Sequence, residues 1–475
     1  MADLSLTRKS ARELAALIRG RAVSPVEVLD AHLMAIERIN PKLNAIVTLA
    51  AEEARGAARA AESAVMGNEP LGPLHGIPVA IKDITATAGI RTTYGSPVYK
   101  ENIPAEDAEV VRRLKAAGAI IIGKTNTPEF ACGAFTHNAV FGATRNPWNP
   151  KLSPAGSSGG SAVAVAAGMV PIAQATDFGG SIRVPAAFCG IVGIRPTPGL
   201  VPSYPMPLAW DPGQTNGPLA RNAEDAALML DAMIGLSRLS PISVSPPWRS
   251  ALAEVERQPG AKELRVAYAP DIAGIGVDAE VEALCRKAAL RLRDAGAIVE
   301  EIDFSASDGR EPYQVWRGLW MVGQQYQRLS ELEQFGDVLR GSVSAGLNVT
   351  ALDFAAAEQK RQEVFHRFGK LFERFDALLT PVAPVKPFPL EKNFPEQING
   401  QKLENYIDWI APAFLITLIS LPAASAPAGL TSDGLPIGIQ IVAPRFEEPK
   451  ILRLVNIIHG QSNVGWPQCA ASNGL

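Results

Sequence analysis

Residues 153–193 read SPAGSSGGSAVAVAAGMVPIAQATDFGGSIRVPAAFCGIVG and contain two glycine-serine clusters joined by a run of small apolar residues. The clusters lie at residues 156–161 and 179–181. Glycine permits positive φ and lets a neighbouring group approach closely, so such clusters mark places where main-chain geometry matters. A serine between glycines presents its hydroxyl with little steric cover. We therefore expect the two loops to bring two hydroxyls to one point.

Helical patterns and short apolar strand patterns alternate on both sides of this stretch. Helices are predicted at 107–117, 159–168 and 278–295, each followed by a short apolar run, and a strand at 264–269 precedes the last helix. Such alternation is typical of an α/β fold with a parallel or mixed sheet. We predict a mixed, largely central β-sheet covered by helices on both faces. Further helices are predicted at 7–20, 26–40, 50–66, 311–335 and 350–374, and strands at 376–381, 423–427 and 433–444.

The length of 475 residues and the 47% hydrophobic content allow a large core and one to three domains. We predict a single domain over 1–475, with an N-terminal helical layer over 1–70 that includes a helix capped by Ser24, with Pro25 in its first turn and Glu27 completing a capping box. The proline- and serine-rich stretch at 236–262 is predicted to be a surface linker or loop within that domain.

Charge and cysteine usage argue against several kinds of partner. The formal net charge is −3 and no long block of like charge is present, so we expect neither nucleic acid nor membrane as a partner. The four cysteines lie far apart without a CxxC pair, which favours reduced thiols. No signal peptide is evident, and the apolar run 162–175 is too short to span a membrane. These features predict a soluble, cytoplasmic protein.

A lysine, Lys82, ends the short apolar strand pattern of His75-Gly-Ile-Pro-Val-Ala-Ile-Lys82-Asp83. Removing an ammonium group from water is costly, so a buried lysine is either paired or has a lowered pKa, and a lowered pKa suits a general base. Alternatively, Lys82 reaches solvent or pairs with Asp83. Residue type alone leaves both interpretations open.

The serine loops also allow more than one interpretation. Glycine-serine turns commonly begin helices, and backbone N–H groups at a helix N-terminus can bind phosphate. A phosphate-binding P-loop, however, closes with Gly-Lys-Ser/Thr, and GSSGGSA has no lysine at that place. The dinucleotide fingerprint GxGxxG is absent as well. Nucleotide binding is therefore disfavoured.

The combination of these motifs resembles the amidase signature family of serine amidohydrolases, and the resemblance extends over nearly the whole chain. The matching segments are GIPVAIKD (76–83), GKTNTPEFA (123–131), NPWNP (146–150), GSSGGSAVAVAAG (156–168), TDFGGSIRVPAAFCGIVGIRPTPG (176–199), GPLARNAEDAALMLDAMIG (217–235) and LPAASAPAGL with DGLPIGIQIVAPR (421–445).

The resemblance implies a Ser–cis-Ser–Lys triad, with Lys82 as general base, Ser157 as the bridging cis-serine and Ser181 as the nucleophile. A serine hydroxyl needs a base to accept its proton before it attacks a carbonyl carbon. The negative oxygen formed by that attack needs donors aimed at it. These donors are expected to be the backbone N–H groups of Phe178, Gly179, Gly180 and Ser181.

Supporting roles are expected for neighbouring residues. Ser158 is expected to cap the following helix or to hydrogen-bond locally. Asp177 and Arg183 are expected to form a buried ionic network that holds the loop, with Cys189 a packed thiol.

Substrate-binding residues are suggested less directly. Ala131 and Cys132 match a family segment along the substrate channel. Trp316 recurs at helical spacing with Tyr313 and Trp320, a stripe more typical of core packing than of a pocket. No cofactor or metal is implied, because the histidines are scattered and no HExxH motif occurs.

We therefore expect an amidohydrolase that cleaves a carboxylic amide to acid plus ammonia or amine through an acyl-enzyme on Ser181. Its partner would be a small-molecule amide, and a homodimer is compatible with the resemblance. One alternative is the glutamine-hydrolysing subunit of a tRNA-dependent amidotransferase. The other, of a different class, is a non-catalytic nucleotide-binding scaffold.

Overall fold

A mixed β-sheet of eleven strands forms the centre of the chain over the residues that the computed structural model describes, 3–257, 260–403 and 405–471. The strands are β1 (Ile46–Leu49), β2 (Pro78–Lys82), β3 (Ile120–Thr125), β4 (His137–Asn138), β5 (Gly142–Ala143), β6 (Ile172–Asp177), β7 (Val192–Arg195), β8 (Thr215–Ala220), β9 (Arg265–Tyr268), β10 (Ile298–Glu301), β11 (Ala377–Pro381), β12 (Gln397–Ile398), β13 (Gln401–Lys402), β14 (Ala423–Leu430) and β15 (Pro436–Val442). Two separate pairs, β4 with β5 and β12 with β13, lie outside the sheet.

The strand order across the sheet is β1-β3-β2-β6-β8-β7-β14-β15-β11-β9-β10. Parallel pairs occur near its two ends, where β2 lies between β3 and β6, and β9 lies between β11 and β10. The remaining neighbours are antiparallel. The predicted mixed sheet is therefore confirmed.

Helices cover both faces of the sheet. They are α1 (Ala11–Arg19), α2 (Pro25–Leu43), α3 (Ala51–Met66), α4 (Glu109–Ala116), α5 (Gly159–Ala166), α6 (Arg183–Cys189), α7 (Ala223–Met233), α8 (Ala251–Arg257), α9 (Ala279–Asp294), α10 (Arg310–Gln325), α11 (Asp337–Leu347), α12 (Ala351–Phe372), α13 (Ala411–Leu418), α14 (Glu448–Gly460) and α15 (Gln468–Ala471). Successive strand residues point to opposite faces. On β2, Val79 and Ile81 join the apolar cluster of α7, α9 and α14, whereas Ala80 joins the cluster of α2 and α5.

Local sequence signals account for several of these elements. Ser24 and Glu27 form the predicted capping box at the start of α2, with Pro25 as its first residue. The apolar run at 162–175 forms most of α5 and part of β6, and all eight residues of α5 are buried in the core. Among the described residues, no helix is long and apolar enough to cross a membrane.

Three stretches differ in detail from their sequence patterns. The predicted N-terminal helical layer also contains β1, which pairs with β3 at the edge of the sheet. Within 236–262, the residues from 251 to 257 form α8, which packs against α7 and α14. The predicted helix at 311–335 ends at Gln325, and the chain continues as a 3₁₀ helix over Tyr326–Gln334.

The topology brings the Lys82 motif and the start of the second glycine-serine loop together at the carboxyl ends of two neighbouring strands. Strands β2 and β6 are parallel neighbours, with Ile81 opposite Gln174. Their carboxyl ends therefore lie side by side, and these ends carry Lys82 and Thr176.

Candidate active site

The Lys82 ammonium nitrogen lies among three hydroxyl groups at the carboxyl ends of β2 and β6. Lys82 Nζ is 2.7 Å from Ser157 Oγ, 2.8 Å from Ser158 Oγ and 2.9 Å from Thr176 Oγ1. Its side chain is fully buried. All three partners are uncharged. Because Ser157 Oγ is 2.7 Å away, Lys82 lies within the distance needed to exchange a proton with a serine hydroxyl.

Burial lowers the pKa of Lys82 well below its usual value, and the negative charge of Asp177 only partly opposes this effect. The neighbouring carboxylate does not form the alternative pair, because Asp83 accepts hydrogen bonds from the backbone N–H and the hydroxyl of Thr93. The interpretation in which Lys82 reaches solvent is likewise excluded by its burial. A buried amine with a lowered pKa can accept a proton near neutral pH.

The two glycine-serine loops contact each other directly. The backbone N–H of Ser158 donates to the backbone oxygen of Ser181 at 3.2 Å. The peptide bond between Gly156 and Ser157 is cis. Ser158 precedes α5 at the N-cap position, yet its side chain makes no capping hydrogen bond and instead contacts Lys82 and the backbone oxygen of Thr176. Of its two expected roles, Ser158 therefore takes the local one.

Asp177 and Arg183 form a fully buried ion pair behind the second loop. Arg183 Nη2 donates to Asp177 Oδ1 at 2.8 Å, and Arg183 Nε donates to Asp177 Oδ2 at 3.0 Å. Burial alone would raise the pKa of Asp177, but the charge and hydrogen bonds of Arg183 lower it below its usual value. The carboxylate also accepts backbone N–H bonds from Gly180 and Ile182, so it shapes the turn that carries Ser181.

The buried network extends to residues whose contacts the sequence motifs did not indicate. Arg195 donates to the backbone oxygen of Asp177, and Arg183 donates to the side chains of Gln440 and Thr417. These partners come from β7, β15 and α13. Arg195 and Gln440 lie within the matching segments 176–199 and 421–445, but their contacts depend on how distant elements pack, which no local pattern specifies.

The predicted set of oxyanion donors needs one correction. The N–H of Gly180 donates to Asp177 Oδ1 at 2.9 Å and is therefore already engaged. The N–H groups of Phe178, Gly179 and Ser181 have no acceptor among the described residues. The φ of Gly180 is +105°, which turns its N–H toward the carboxylate in a conformation that favours glycine.

Two adjoining cavities open at this site. The small cavity, of about 40 Å³, is lined by Ser157, Phe178, Gly179 and Ser181. The large cavity, of about 510 Å³, extends from it over residues of the 203–214 loop and the carboxyl-terminal half of α10. The cavities share the wall formed by Phe130, Thr176, Gln214, Trp320 and Met321. Ser181 thus lines the small cavity, which adjoins the large one along this shared wall.

The three residues predicted to bind substrate occupy different places. Ala131 lines the small cavity. Cys132 is buried beside it, 3.4 Å from Ser342 Oγ, and does not line either cavity. Trp316 also lines neither cavity and instead packs behind Phe178, with 5.0 Å between the ring centroids.

The aromatic stripe of α10 combines core packing with cavity walls. Trp320 lines both cavities and stacks on Phe178 with 4.2 Å between ring centroids. Tyr313 lines the small cavity and stacks on Phe414. The helical spacing identified these residues but could not separate Trp316 from Trp320.

A second buried lysine, Lys124, lies near the large cavity and belongs to the matching segment GKTNTPEFA (123–131), which indicated no role for it. Lys124 Nζ donates to Thr87 Oγ1 at 2.9 Å and Thr92 Oγ1 at 3.0 Å. Burial lowers the pKa of Lys124, and the charge of Asp83 opposes this effect. Lys124 holds the loop that follows β2 and does not line either cavity.

Three of the cysteines are buried, and the acidic residues form no metal-binding group within the described parts of the chain. Cys132, Cys189 and Cys285 are buried thiols outside any disulfide, and burial raises the pKa of the Cys189 thiol. Over residues 3–257, 260–403 and 405–471, no group of three or more His, Cys, Asp or Glu side chains could hold a metal ion.

Comparisons with known proteins agree with this architecture. Residues 27–452 match the Amidase family. The chain is 36% identical to an acylamidase of Rhodococcus erythropolis, with 95% of each chain covered. It is 34% identical to one of the subunits of the glutamyl-tRNA(Gln) amidotransferase of Moorella thermoacetica, with 94% of each chain covered.

A solved structure described as a bacterial aryl acylamidase of the amidase signature enzymes family superposes with a TM-score of 0.91. It is 30% identical, and the match covers 98% of this chain and 99% of the other. The fold and site thus define an amide-hydrolysing enzyme. The chain belongs to the amidase signature family.

Proposed function

We propose that this protein hydrolyses amides of short carboxylic acids with bulky amines, using Ser181 as the nucleophile. The observation that carries the proposal is the buried Lys82–Ser157 contact of 2.7 Å beside a cavity that Ser181 also lines. The two named relatives, an acylamidase and an aryl acylamidase, support the substrate class.

The proposed mechanism begins with the neutral amine of Lys82 accepting the proton of Ser157, which accepts the proton of Ser181. The Ser181 oxygen then bonds to the amide carbon, and the developing negative oxygen is stabilised by free backbone N–H groups of Phe178, Gly179 and Ser181. When the C–N bond breaks, the amine nitrogen takes a proton along the same relay. Water then hydrolyses the ester on Ser181 and releases the acid.

The two cavities support an assignment of the two substrate halves. The acyl group stays bonded to Ser181 after the amine departs, so it must remain beside the oxyanion donors in the small cavity. The amine must leave before water attacks, and the large cavity of about 510 Å³ provides both room and an exit. A short acyl group and a bulky, aromatic amine fit these volumes.

The proposal is tested by labelling and by a substrate panel. A fluorophosphonate should label wild-type protein at one site per chain, and Ser181→Ala should lose both labelling and hydrolysis of short-chain anilides. Ser153→Ala is a matched control, because Ser153 is buried and lines neither cavity. Labelling that persists in Ser181→Ala would refute the nucleophile assignment.

Glutamine separates the amidotransferase alternative from the proposal. The purified chain should hydrolyse anilides faster than glutamine without any partner protein. Efficient glutamine hydrolysis, with anilides inert, would favour the amidotransferase interpretation. ATP binding without fluorophosphonate labelling would favour the non-catalytic scaffold.

The location and partners are part of the same proposal. We infer a cytoplasmic enzyme from the thiols of Cys132, Cys189 and Cys285, which form no disulfide, since disulfides are rare in that compartment. Its partner is then a small-molecule amide. Light scattering at several protein concentrations tests whether it forms a homodimer.

A further inference from the structure

A single arginine of α10 supplies the charge in the small cavity. Arg317 lines that cavity together with Ser157 and Ser181. It is the sole charged residue in the described lining. The remaining wall is largely apolar or aromatic and includes Phe130, Phe178, Tyr313, Trp320, Met321, Ile407 and Ile410.

The hydrogen bonds of Arg317 occupy only one of its guanidinium nitrogens. Nη2 donates to Tyr406 Oη, to Ser342 Oγ at 3.3 Å and to Cys132 Sγ at 3.5 Å. Within the described parts of the chain, Nη1 and Nε have no acceptor, and no carboxylate lies within ion-pair distance of Arg317. Two donor positions of a permanent cation therefore remain open.

The neighbouring acceptors do not neutralise this charge. Burial raises the pKa of Tyr406 to about 12, although the charge of Arg317 opposes that effect, so the phenol stays protonated near neutral pH. Ser342 contributes a neutral hydroxyl. Arginine itself does not lose its proton in proteins. A cation in apolar surroundings is costly unless an anion compensates it.

We propose that Arg317 binds a carboxylate at the far end of the acyl group, so that the enzyme prefers half-amides of short dicarboxylic acids. This inference rests on the proposed function, in which the acyl group occupies the small cavity. Guanidinium and carboxylate form paired, charge-assisted hydrogen bonds, which add both affinity and orientation. The small cavity measures about 40 Å³ against about 510 Å³ for the large one, and this contrast favours a short acyl chain.

A matched pair of chromogenic amides tests the preference. Succinyl p-nitroanilide and butyryl p-nitroanilide have acyl chains of equal carbon number, and the first carries a carboxylate where the second carries a methyl group. Wild-type protein should hydrolyse the succinyl compound with kcat/KM about 10- to 100-fold higher, the range expected for a hydrogen-bonded charge. Equal rates, or faster butyryl hydrolysis, would overturn the inference.

Variants of Arg317 test whether this side chain causes the preference for the succinyl compound. Arg317→Met should reduce kcat/KM for the succinyl compound by about 10- to 100-fold while the butyryl rate changes by less than about threefold. Arg317→Lys should retain part of the preference. Arg59→Met is the matched control, because Arg59 lies exposed on α3, lines neither cavity and should leave the preference intact. Equal losses on both substrates in Arg317→Met would show a structural role and overturn the inference.

A measurement on wild-type protein covers the case in which Arg317→Met does not fold. Succinate should slow fluorophosphonate labelling of Ser181 at lower concentration than butyrate. Equal protection by the two acids would contradict the inference. If Ser181 is labelled but the substrates are not distinguished, only this inference fails. If neither amide is cleaved and Ser181 is not labelled, the proposed function fails as well.

Discussion

Replacing Lys82 by methionine should abolish hydrolysis and leave the fold intact. Lys82 Nζ contacts three neutral hydroxyls at 2.7–2.9 Å, and burial lowers its pKa. Methionine fills a similar volume without a basic group. General base catalysis contributes about 10²- to 10⁴-fold, and members of a serine triad act together, with losses of up to about 10⁶-fold. We expect kcat to fall by at least about 10⁴-fold.

The assay follows p-nitroaniline release together with fluorophosphonate labelling of Ser181, and circular dichroism and thermal melting monitor the fold. Lys100→Met serves as the matched control, because Lys100 is exposed and lines neither cavity. The control should retain wild-type turnover. A folded Lys82→Met protein that turns over within about tenfold of wild type would refute the base assignment, since even a modest general base contributes more than that.

The pH dependence gives an independent check on the same residue. Because the folded pKa of Lys82 is lowered, the amine is neutral above it and gains a proton in acid, so activity should fall about tenfold per pH unit below that pKa. Unfolding restores the ordinary pKa of 10.5. Between the lowered folded pKa and 10.5, Lys82 is protonated in the unfolded state and neutral in the folded state. The free energy of unfolding of wild type, relative to that of Lys82→Met, should therefore rise by about 1.4 kcal/mol for each unit of increasing pH in this range. Activity that stays constant down to pH 4 would contradict a lysine base.

Three further perturbations address the surroundings of the site. Asp177→Asn should destabilise the protein by about 3–5 kcal/mol, because it leaves the buried Arg183 charge uncompensated, and a change below about 1 kcal/mol in denaturant unfolding would contradict this. Gly180→Ala should reduce kcat by about 10²- to 10³-fold while the protein still folds. A Cβ at residue 180, where φ is +105°, would lie 2.6 Å from Ala413 Cβ and would displace the adjacent N–H donors. Unchanged turnover would refute that reasoning. Iodoacetamide at pH 8 should leave activity intact, because burial raises the pKa of the Cys189 thiol; stoichiometric inactivation prevented by Cys189→Ala would show a reactive thiol instead.

Much of the architecture was predictable because its signals are local. The capping box at Ser24 and Glu27 depends on residues within one turn, and it forms as expected. The alternation of helix and strand around 153–193 reflects burial on one or both faces, and α5 followed by β6 confirms it. Such patterns report which face of an element is buried.

The motifs predicted which residues form the site but not all of the contacts between them. Matching motifs identified Lys82 and Ser157, whose contact at 2.7 Å the structure contains. They did not indicate that Thr176 also receives a hydrogen bond from Lys82, or that Gly180 donates its N–H to Asp177. Both contacts depend on the turn geometry at the end of β6, which residue types alone do not specify.

The cavities were the least predictable part, because their walls come from segments far apart in the chain. The large cavity requires the 203–214 loop to lie against α10, and the small one requires α10 to meet Ile407 and Ile410. An apolar stripe at helical spacing predicts burial for Trp316 and Trp320 alike, although of these two only Trp320 lines the cavities.

The distribution of charge separates the chemistry of the reaction from the choice of substrate. Arg183 forms an ion pair with Asp177 at 2.8 Å beside the loop that carries Ser181, whereas Lys82 is buried among neutral hydroxyls. Arg317 differs from both, because it faces the cavity with donors left open. Substitution of Arg317 should therefore change which amides are cleaved without changing how they are cleaved, and substitution of Lys82 should stop cleavage of all of them.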